Sequence, residues 1–346
     1  MRALVLTAYK ELLVQEFPEP EVGRSDVLVR VEVCGICGSD VHGMDGSTGR
    51  RRPPIVMGHE AAGVIVQLGS DVTTRRVGDR VTFDSTIYDP NSFFSRRGQV
   101  NLCDNRRVFG VSCEEYRQHG AFAELVAVPH HILYGLPDSM TFQQAALVEP
   151  VSIAVHARGL TPIDDGDSVL VMGAGLIGLT IIQVLKNTRA AEIIAVDSDD
   201  ARLSLARELG ATVTFNPTIV PDLAAAIRAV TNGRGADVAF EAVGIETTVR
   251  AALAGVRKGG AVTLIGNLCA EVSLPLQALV TREVRLQGSC ASSGEYPECI
   301  DLIASGKIDV ERFISAEASL EEGPAWFDRL YRKEPGLMKV LLRPNG

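Results

Sequence analysis

Positive charge is in deficit. Lysine and arginine number 34 against 43 aspartates and glutamates, a net charge of −9, which repels phosphate backbones and leaves no basic stripe to hold nucleic acid. Long apolar runs are missing too: the longest, Val169 to Ile182, is interrupted by three glycines and is too short to span a bilayer, so no membrane association is expected. The amino-terminal stretch MRALVLTAYKELLVQEF has neither the charged start nor the small-residue cleavage site of a secretory signal, and a cytoplasmic protein is expected. Nor is there a disulfide framework. Seven cysteines, an odd number scattered from Cys34 to Cys299, are expected to be thiols or metal ligands in a reducing compartment. No internal repeat or low-complexity tract is found. What is there is a globular balance, 46% hydrophobic and 22% charged, in a chain long enough for two domains of roughly 150 residues. The expected partner is a small molecule.

The two parts differ in texture. Up to residue 150, short β-rich runs (Val27 to Val33, Ala62 to Leu68, Arg80 to Phe83, Ala123 to Val128) are broken by glycine and proline, which predicts a twisted sheet or partial barrel. Beyond Pro150, strand-like runs (Ser168 to Met172, Glu192 to Asp197, Thr212 to Phe215, Val238 to Phe240, Ala261 to Ile265) alternate with helical stretches such as Asp200 to Leu209 and Pro221 to Val230. That alternation predicts an α/β domain, a doubly wound parallel sheet with helices on both faces. From about Val284 the pattern is expected to end, giving way to a short strand, a helix near Pro297 to Ser305 and a last strand at Met338 to Leu342.

In SVLVMGAGLIGLTIIQVL, Gly173, Gly175 and Gly178 have G-x-G-x-x-G spacing between a strand and a helix. Gly173 permits the tight turn, Gly175 admits a pyrophosphate close to the backbone, and Gly178 lets the helix pack on the strand. Leu176 and Ile177 open the helix, whose free N–H groups and positive dipole end favour phosphates. Asp197, nineteen residues beyond Gly178, is placed to accept hydrogen bonds from both hydroxyls of an adenosine ribose. Ser198, Asp199 and Asp200 follow, and the first arginine is Arg202. A 2′-phosphate there would meet like charge, so NAD is expected rather than NADP. Asp197 has the alternative role of capping the helix that begins near Asp200. Arg202 has two candidate roles, stacking on adenine or pairing with Asp199.

Cys37, His59, Glu60 and Glu149, in CGICGSDVH, MGHEAAG and LVEPVS, supply thiolate, imidazole and carboxylate, the ligand types of a catalytic zinc that keeps one position open. Their spacing is long and irregular, and single cysteines and histidines more often serve the core or the surface. Residue chemistry alone suggests the site without fixing it.

Taken in order, GICGSDVH, GHE followed by AAGVIVQLGS, VGDRV, GAFAE, VEP and GAGLIG resemble the zinc-dependent medium-chain dehydrogenases over essentially the whole chain. The resemblance implies a β-rich GroES-like catalytic domain at 1–150 completed by 285–346, and a Rossmann NAD-binding domain at 151–284. It implies that Cys37 and His59 bind one catalytic zinc directly, with Glu149 approaching it as in the polyol (sorbitol) dehydrogenase branch and Glu60 an exchangeable neighbour. Which glutamate is bound at rest is open. Ser39 and His42 match the relay that carries the alcohol proton to solvent, with His42 titrating near neutral pH. Glu241, Ile265 and Asn267 fall where the family lines the nicotinamide pocket, and His156 and Arg158 near the nicotinamide phosphates. Homo-dimers or homo-tetramers are usual among such relatives.

Two departures bear on function. Many relatives hold a second, structural zinc with four cysteines spaced C-x2-C-x2-C-x7-C, and counting back from Cys103 gives Ser95, Ser92 and Asp89. One thiol, two hydroxyls and a carboxylate cannot replace four thiolates. One zinc per chain is therefore expected, with this lobe held by hydrogen bonds and packing, Phe93 or Phe94 being buried. In the last segment, Ala291 and Ser292 stand where sorbitol dehydrogenases have arginine and tyrosine, which opens the choice of substrate to another polyol, a cyclitol or an amino-alcohol. Cys34, Cys113, Cys269, Cys290 and Cys299 read as buried or idle thiols, and His130 and His131 as facing solvent. The expected activity is NAD-dependent, zinc-dependent oxidation of a secondary alcohol of a polyol, cyclitol or related sugar alcohol to a ketone. Threonine-dehydrogenase-like amino-alcohol oxidation and a non-catalytic nucleotide-binding protein on the same scaffold are the alternatives.

Overall fold

The computed structural model describes residues 1–112 and 117–346; Cys113 lies outside the described residues. The chain falls into two compact units, Met1–Ser152 with Ser292–Gly346, and Ile153–Ala291.

In the first unit the strand Asp26–Gly35 pairs antiparallel with Glu60–Leu68, Leu125–Pro129 and Lys339–Arg343. Its sequence DVLVRVEVCG explains the place: Val27, Val29, Val31 and Val33 form one face and are at most 1% exposed, whereas Arg30, on the other face, is exposed. The sheet continues through Arg80–Phe83 and Leu133–Gly135 on one side and Ile314–Ser319 on the other. A Cβ on Gly63 would strike the Arg30 carbonyl, so glycine is what lets the two long strands close there. A small sheet of Glu11–Glu16, Arg2–Ala8 and Ile55–Val56 completes the unit. Leu4, Val29, Phe83, Phe109, Phe122 and Phe327 lie in its core, each worth roughly 1.5–3 kcal/mol on burial. Pairing of Leu341 with Gly35 and of Leu342 with Cys34 ties the carboxy-terminal segment into this unit.

The second unit is a six-stranded parallel sheet in the order Val213–Phe215, Glu192–Val196, Ser168–Met172, Ala236–Glu241, Val256–Leu264, Arg285–Gly288. Numbered along the unit this is 3-2-1-4-5-6, the dinucleotide-binding order. Every residue of the central Ser168–Met172 is buried, as a strand covered on both faces requires. Helices Leu176–Lys186, Asp200–Leu209, Leu223–Val230, Glu246–Gly255 and Leu276–Arg282 lie in the five crossovers. One expectation needs correction: the parallel pattern runs past Val284, because Arg285–Gly288 pairs with Ala261–Leu264, and the first unit resumes at Ser292 rather than at 285. The short strand expected there is present, but all four of its residues are exposed, so no buried face assigned it to the parallel sheet. No helix among the described residues is long and apolar enough to cross a membrane.

Candidate active site

Gly35 and Glu60 face each other where the two long strands of the first unit pair. Cys37, two residues beyond one strand's end, and His59, just before the other's start, therefore leave the sheet at the same edge. One ligand atom each of Cys37, His59 and Glu60 lies within 4.8 Å of the other two. Glu149, in the helix Val148–Gly159, stands outside that trio, and its Oε1 accepts a hydrogen bond from Ser85 Oγ at 3.2 Å. Cys37 caps the short helix Gly38–Gly43, its Sγ accepting from the Ser39 N–H at 3.4 Å and the Ser39 hydroxyl at 3.2 Å.

The protonation of these groups tests whether a metal fits. Burial, with the Glu60 charge added, pushes the Cys37 thiol up to about 12 against those Ser39 bonds. Burial likewise pushes Glu149 up to about 8, the neighbouring His59 opposing it and Glu60 and Cys37 reinforcing it. Buried acids that hold one another's protons in place suit a divalent cation, which displaces the protons and neutralises the set. Thiolate, imidazole and carboxylate are zinc ligands, and the residues present fit that ion.

Buried partners orient the cluster. The His59 Nδ1 has no hydrogen-bond partner and lies 3.6 Å from Asp40 Oδ1. Lys339, 1% exposed, donates its Nζ to Glu60 Oε2 at 2.5 Å and to the Ile36 carbonyl at 2.9 Å. Gly35 leaves the space for this pair, since a Cβ there would strike Glu60 Oε2. Ser39 is exposed and His42 half-buried. Burial, and after it the Lys333 charge, push the His42 imidazole below its ordinary value, so the expectation of titration near neutrality moves to the acid side. Sequence reasoning missed Asp40, Ser85 and Lys339. A lone lysine within the apolar run Met338–Leu342 was the one signal for a buried, paired cation.

Asp89, Ser92, Ser95 and Cys103 do come together. The Asp89 N–H donates to Cys103 Sγ at 3.4 Å, Ser92 Oγ donates to Ser95 Oγ at 2.8 Å, and the Ser95 N–H donates to Ser92 Oγ at 3.2 Å. Burial raises the Cys103 thiol, but hydrogen bonds from Ser92, Asp89, Asn105 and Ser95 together hold it below its ordinary value. Ser293 fastens the lobe, its Oγ donating to the Gly98 carbonyl at 2.7 Å and accepting from the Val100 N–H at 3.1 Å. The expected buried phenylalanine is a correction: Phe93 is 56% exposed and Phe94 half-buried. Their rings pack edge to face at 5.2 Å, with Arg97 over Phe93, so the aromatics satisfy each other at the surface. His130 and His131 are half-buried rather than solvent-facing, their rings bonded to the carbonyls of Ser25 and Tyr88. Cys34 and Cys299 are buried; Cys269 and Cys290 are exposed.

In the second unit, Gly173 turns the chain with φ +94. A Cβ on Gly178 would strike the Gly173 carbonyl, whereas nothing lies within 4 Å of where one on Gly175 would stand. The first contact is helix against strand; the second is open space at the amino terminus of Leu176–Lys186, whose first turn holds Leu176 and Ile177. Asp197 Oδ2 accepts from the Ala174 N–H at 2.7 Å and Oδ1 from the Asp199 N–H at 3.0 Å, so it braces the glycine turn. Asp199, not Asp197, caps Asp200–Leu209, and Arg202 lies 3.8 Å from Asp199 as an ion pair. Fully buried Glu241 accepts from the Val243 and Gly244 N–H groups and the Thr248 hydroxyl, and its carbonyl accepts from the Ile265 N–H. Asn267 and Arg158 are exposed and His156 is buried.

Known proteins show the same design. Family profiles described as alcohol dehydrogenase GroES-like domain and zinc-binding dehydrogenase match residues 23–138 and 177–305. Sorbitol dehydrogenase of Bacillus subtilis (strain 168) is 31% identical over 350 residues, covering 100% of this chain and 98% of the relative. The chain belongs to the zinc-dependent medium-chain dehydrogenases. L-idonate 5-dehydrogenase of Vitis vinifera is 35% identical over 328 residues, covering 92% and 88% of the two chains. A solved zinc-binding dehydrogenase target from Sinorhizobium meliloti 1021, bound to NADP, matches this dehydrogenase with TM-score 0.90 at 32% identity over 99% of both chains. The expected fold class, a Rossmann sheet with a GroES-like domain, is the one found.

Proposed function

We propose that this dehydrogenase oxidises a secondary alcohol of a polyol or related sugar alcohol to a ketone and passes the hydride to NAD. The observation that carries the reading is the Cys37–His59–Glu60 trio, half-buried at Cys37 and buried at His59 and Glu60, with the Ser39 hydroxyl 3.2 Å from the Cys37 sulfur. Cys37 and His59, with Glu149 or Glu60 as the carboxylate, would hold a zinc ion, which would supply the Lewis acid that acidifies an alcohol. Ser39 accepts the alcohol proton as it passes its own on toward His42, which releases a proton to solvent. Relatives named for sorbitol and idonate support the polyol class over the amino-alcohol and non-catalytic readings. Ser292, buried, donates to Asp84 Oδ2 at 3.4 Å, and burial pushes that carboxyl up to about 7, which favours a polar substrate wall. A panel of sorbitol, xylitol, cyclitols and threonine, followed at the NADH absorbance, is the test. Turnover of threonine in place of every polyol overturns the reading.

NAD rests on Asp197, whose bonds to Ala174 and Asp199 hold the carboxylate beside the phosphate turn. Asp197→Ala is expected to raise the KM for NAD by roughly 10- to 100-fold, the loss of charge-assisted ribose bonds, and to change the KM for NADP far less. Equal effects on both cofactors remove the ribose argument.

The pH profile reads His42. With its pKa lowered, the imidazole is neutral and able to take a proton below pH about 6.5, the usual histidine value. The acid limb of kcat is therefore expected below that value, and Lys333→Gln, which removes an opposing cation, is expected to move the limb to higher pH. An unmoved limb takes His42 out of the relay.

A homo-dimer or homo-tetramer is supported by the edge of the second unit. Arg285–Gly288 ends the sheet order, and beside it Leu274, Leu276, Val280 and Leu286 are 38%, 70%, 66% and 38% exposed. An exposed strand edge flanked by apolar side chains suits a second copy of the chain; a monomer mass by light scattering refutes it. None of the described cysteines is in a disulfide, which supports a cytoplasmic setting.

A further inference from the structure

We propose that Arg51 is a positioning residue for this reaction, setting at once the Ser39 hydroxyl in the proton path and the Asp40 carboxylate that faces the metal ligand His59. The inference rests on the proposed function. Arg51 is 2% exposed, an uncommon place for a guanidinium unless it is held by several partners. Its Nη2 donates to Asp40 Oδ1 at 2.9 Å and to Ser39 Oγ at 3.2 Å, while its Nε reaches the same Asp40 oxygen at 3.3 Å. The site is built to receive it: a Cβ on Gly43 would meet Arg51 Cγ at 2.5 Å, so only glycine in that helix leaves room for the arginine stem.

Each contact has a consequence. A serine oxygen has one proton to give and two lone pairs to offer. The Ser39 proton points to Cys37 Sγ and Arg51 fills one lone pair, which leaves a single acceptor direction for an incoming alcohol O–H. Without Arg51 the hydroxyl has two such directions and no fixed one. Asp40, fully buried, has Arg51 as its salt-bridge partner at 2.9 Å and His59 Nδ1 at 3.6 Å on the same oxygen. The guanidinium thus holds in place the carboxylate that faces His59 Nδ1 at 3.6 Å, and loss of such support behind a metal ligand typically costs about 10- to 100-fold in metal affinity or activity.

The test uses the zinc-loaded enzyme with Arg51→Met and Arg51→Lys. Arg51→Met is expected to release zinc to a chelator about tenfold faster than the parent, with Arg51→Lys between them because it keeps the charge and loses the fork. Arg51→Lys is also expected to lower kcat by about tenfold with both KM values unchanged, and to raise the solvent deuterium isotope effect on kcat as proton transfer slows. In a Ser39→Ala background the rise in isotope effect and the part of the kcat loss that runs through Ser39 disappear, while the zinc-release effect through Asp40 remains. Additive losses, together with an unchanged isotope effect and unchanged zinc release, overturn the proposal. If Ser39→Ala alone leaves kcat intact, the proton path of the proposed function is what fails, and zinc release still reads the Asp40–His59 arm. Should Arg51→Met not fold, Asp40→Asn with Arg51→Met removes both buried charges and is expected to show the same fast release; parental retention of zinc in that pair overturns the proposal.

Discussion

Cys37→Ser is expected to leave the enzyme without zinc and to lower kcat by roughly a thousandfold or more. The reason is the donor set. Serine offers a hydroxyl that does not ionise near neutral pH, so the trio with His59 and Glu60 loses its soft anionic ligand. The change also removes the sulfur that accepts from the Ser39 N–H and hydroxyl, freeing the relay to turn. The measurement pairs elemental analysis of the freshly purified variant with NADH formation. Parental turnover in a metal-free Cys37→Ser sample rejects a zinc-based mechanism outright. One zinc per chain in the parent is the companion expectation, since around Cys103 the two serine hydroxyls bond each other and the Asp89 carboxylate is taken up by the Asn91 N–H.

Lys339→Met is expected to be the most damaging change away from the ligands. Lys339 and Glu60 are each 1% exposed and their charged atoms meet at 2.5 Å. Removing one partner of a buried pair leaves the other charge uncompensated, typically about 3–5 kcal/mol. In a unit of this size that is a fall in Tm on the order of 10 °C. Lys339→Met with Glu60→Gln removes both charges and is expected to regain most of the loss. Zinc offers Glu60 another partner, so the single variant is expected to lose more stability in chelator than with metal. Thermal unfolding of the four proteins, with and without chelator, reads this. A single variant as stable as the double means that the pair holds nothing together.

The pattern that announces each unit is local. Alternating valines in Asp26–Gly35, the wholly apolar Ser168–Met172 and the glycines at 173, 175 and 178 are short-range signals, and the elements form where those signals lie. Asp197 was legible from its place nineteen residues beyond Gly178, whereas Cys37, His59, Glu60 and Ser39 were legible only through the family resemblance of GICGSDVH and GHE, since their own spacing is long and irregular. The short strand after Val284 was expected, but its place as the edge of the parallel sheet was not, because an edge strand exposed at every residue carries no buried face to assign it. Phe93 and Phe94 misled because hydrophobic character does not say which neighbour will cover a ring.

By itself the sequence determined the parallel sheet and the turn for a dinucleotide, since each is written in spacing of a few residues, and it supplied the chemical kinds of the reactive side chains without fixing which of them meet. The tertiary structure alone decided their partners. Lys339 reaches Glu60 only because the carboxy-terminal strand pairs beside Gly35, Arg51 reaches Ser39 across twelve positions, and Ser85 meets Glu149 across sixty-four. Such pairs join residues that share no local pattern, and their energy comes from burial, which exists only once the sheet has closed.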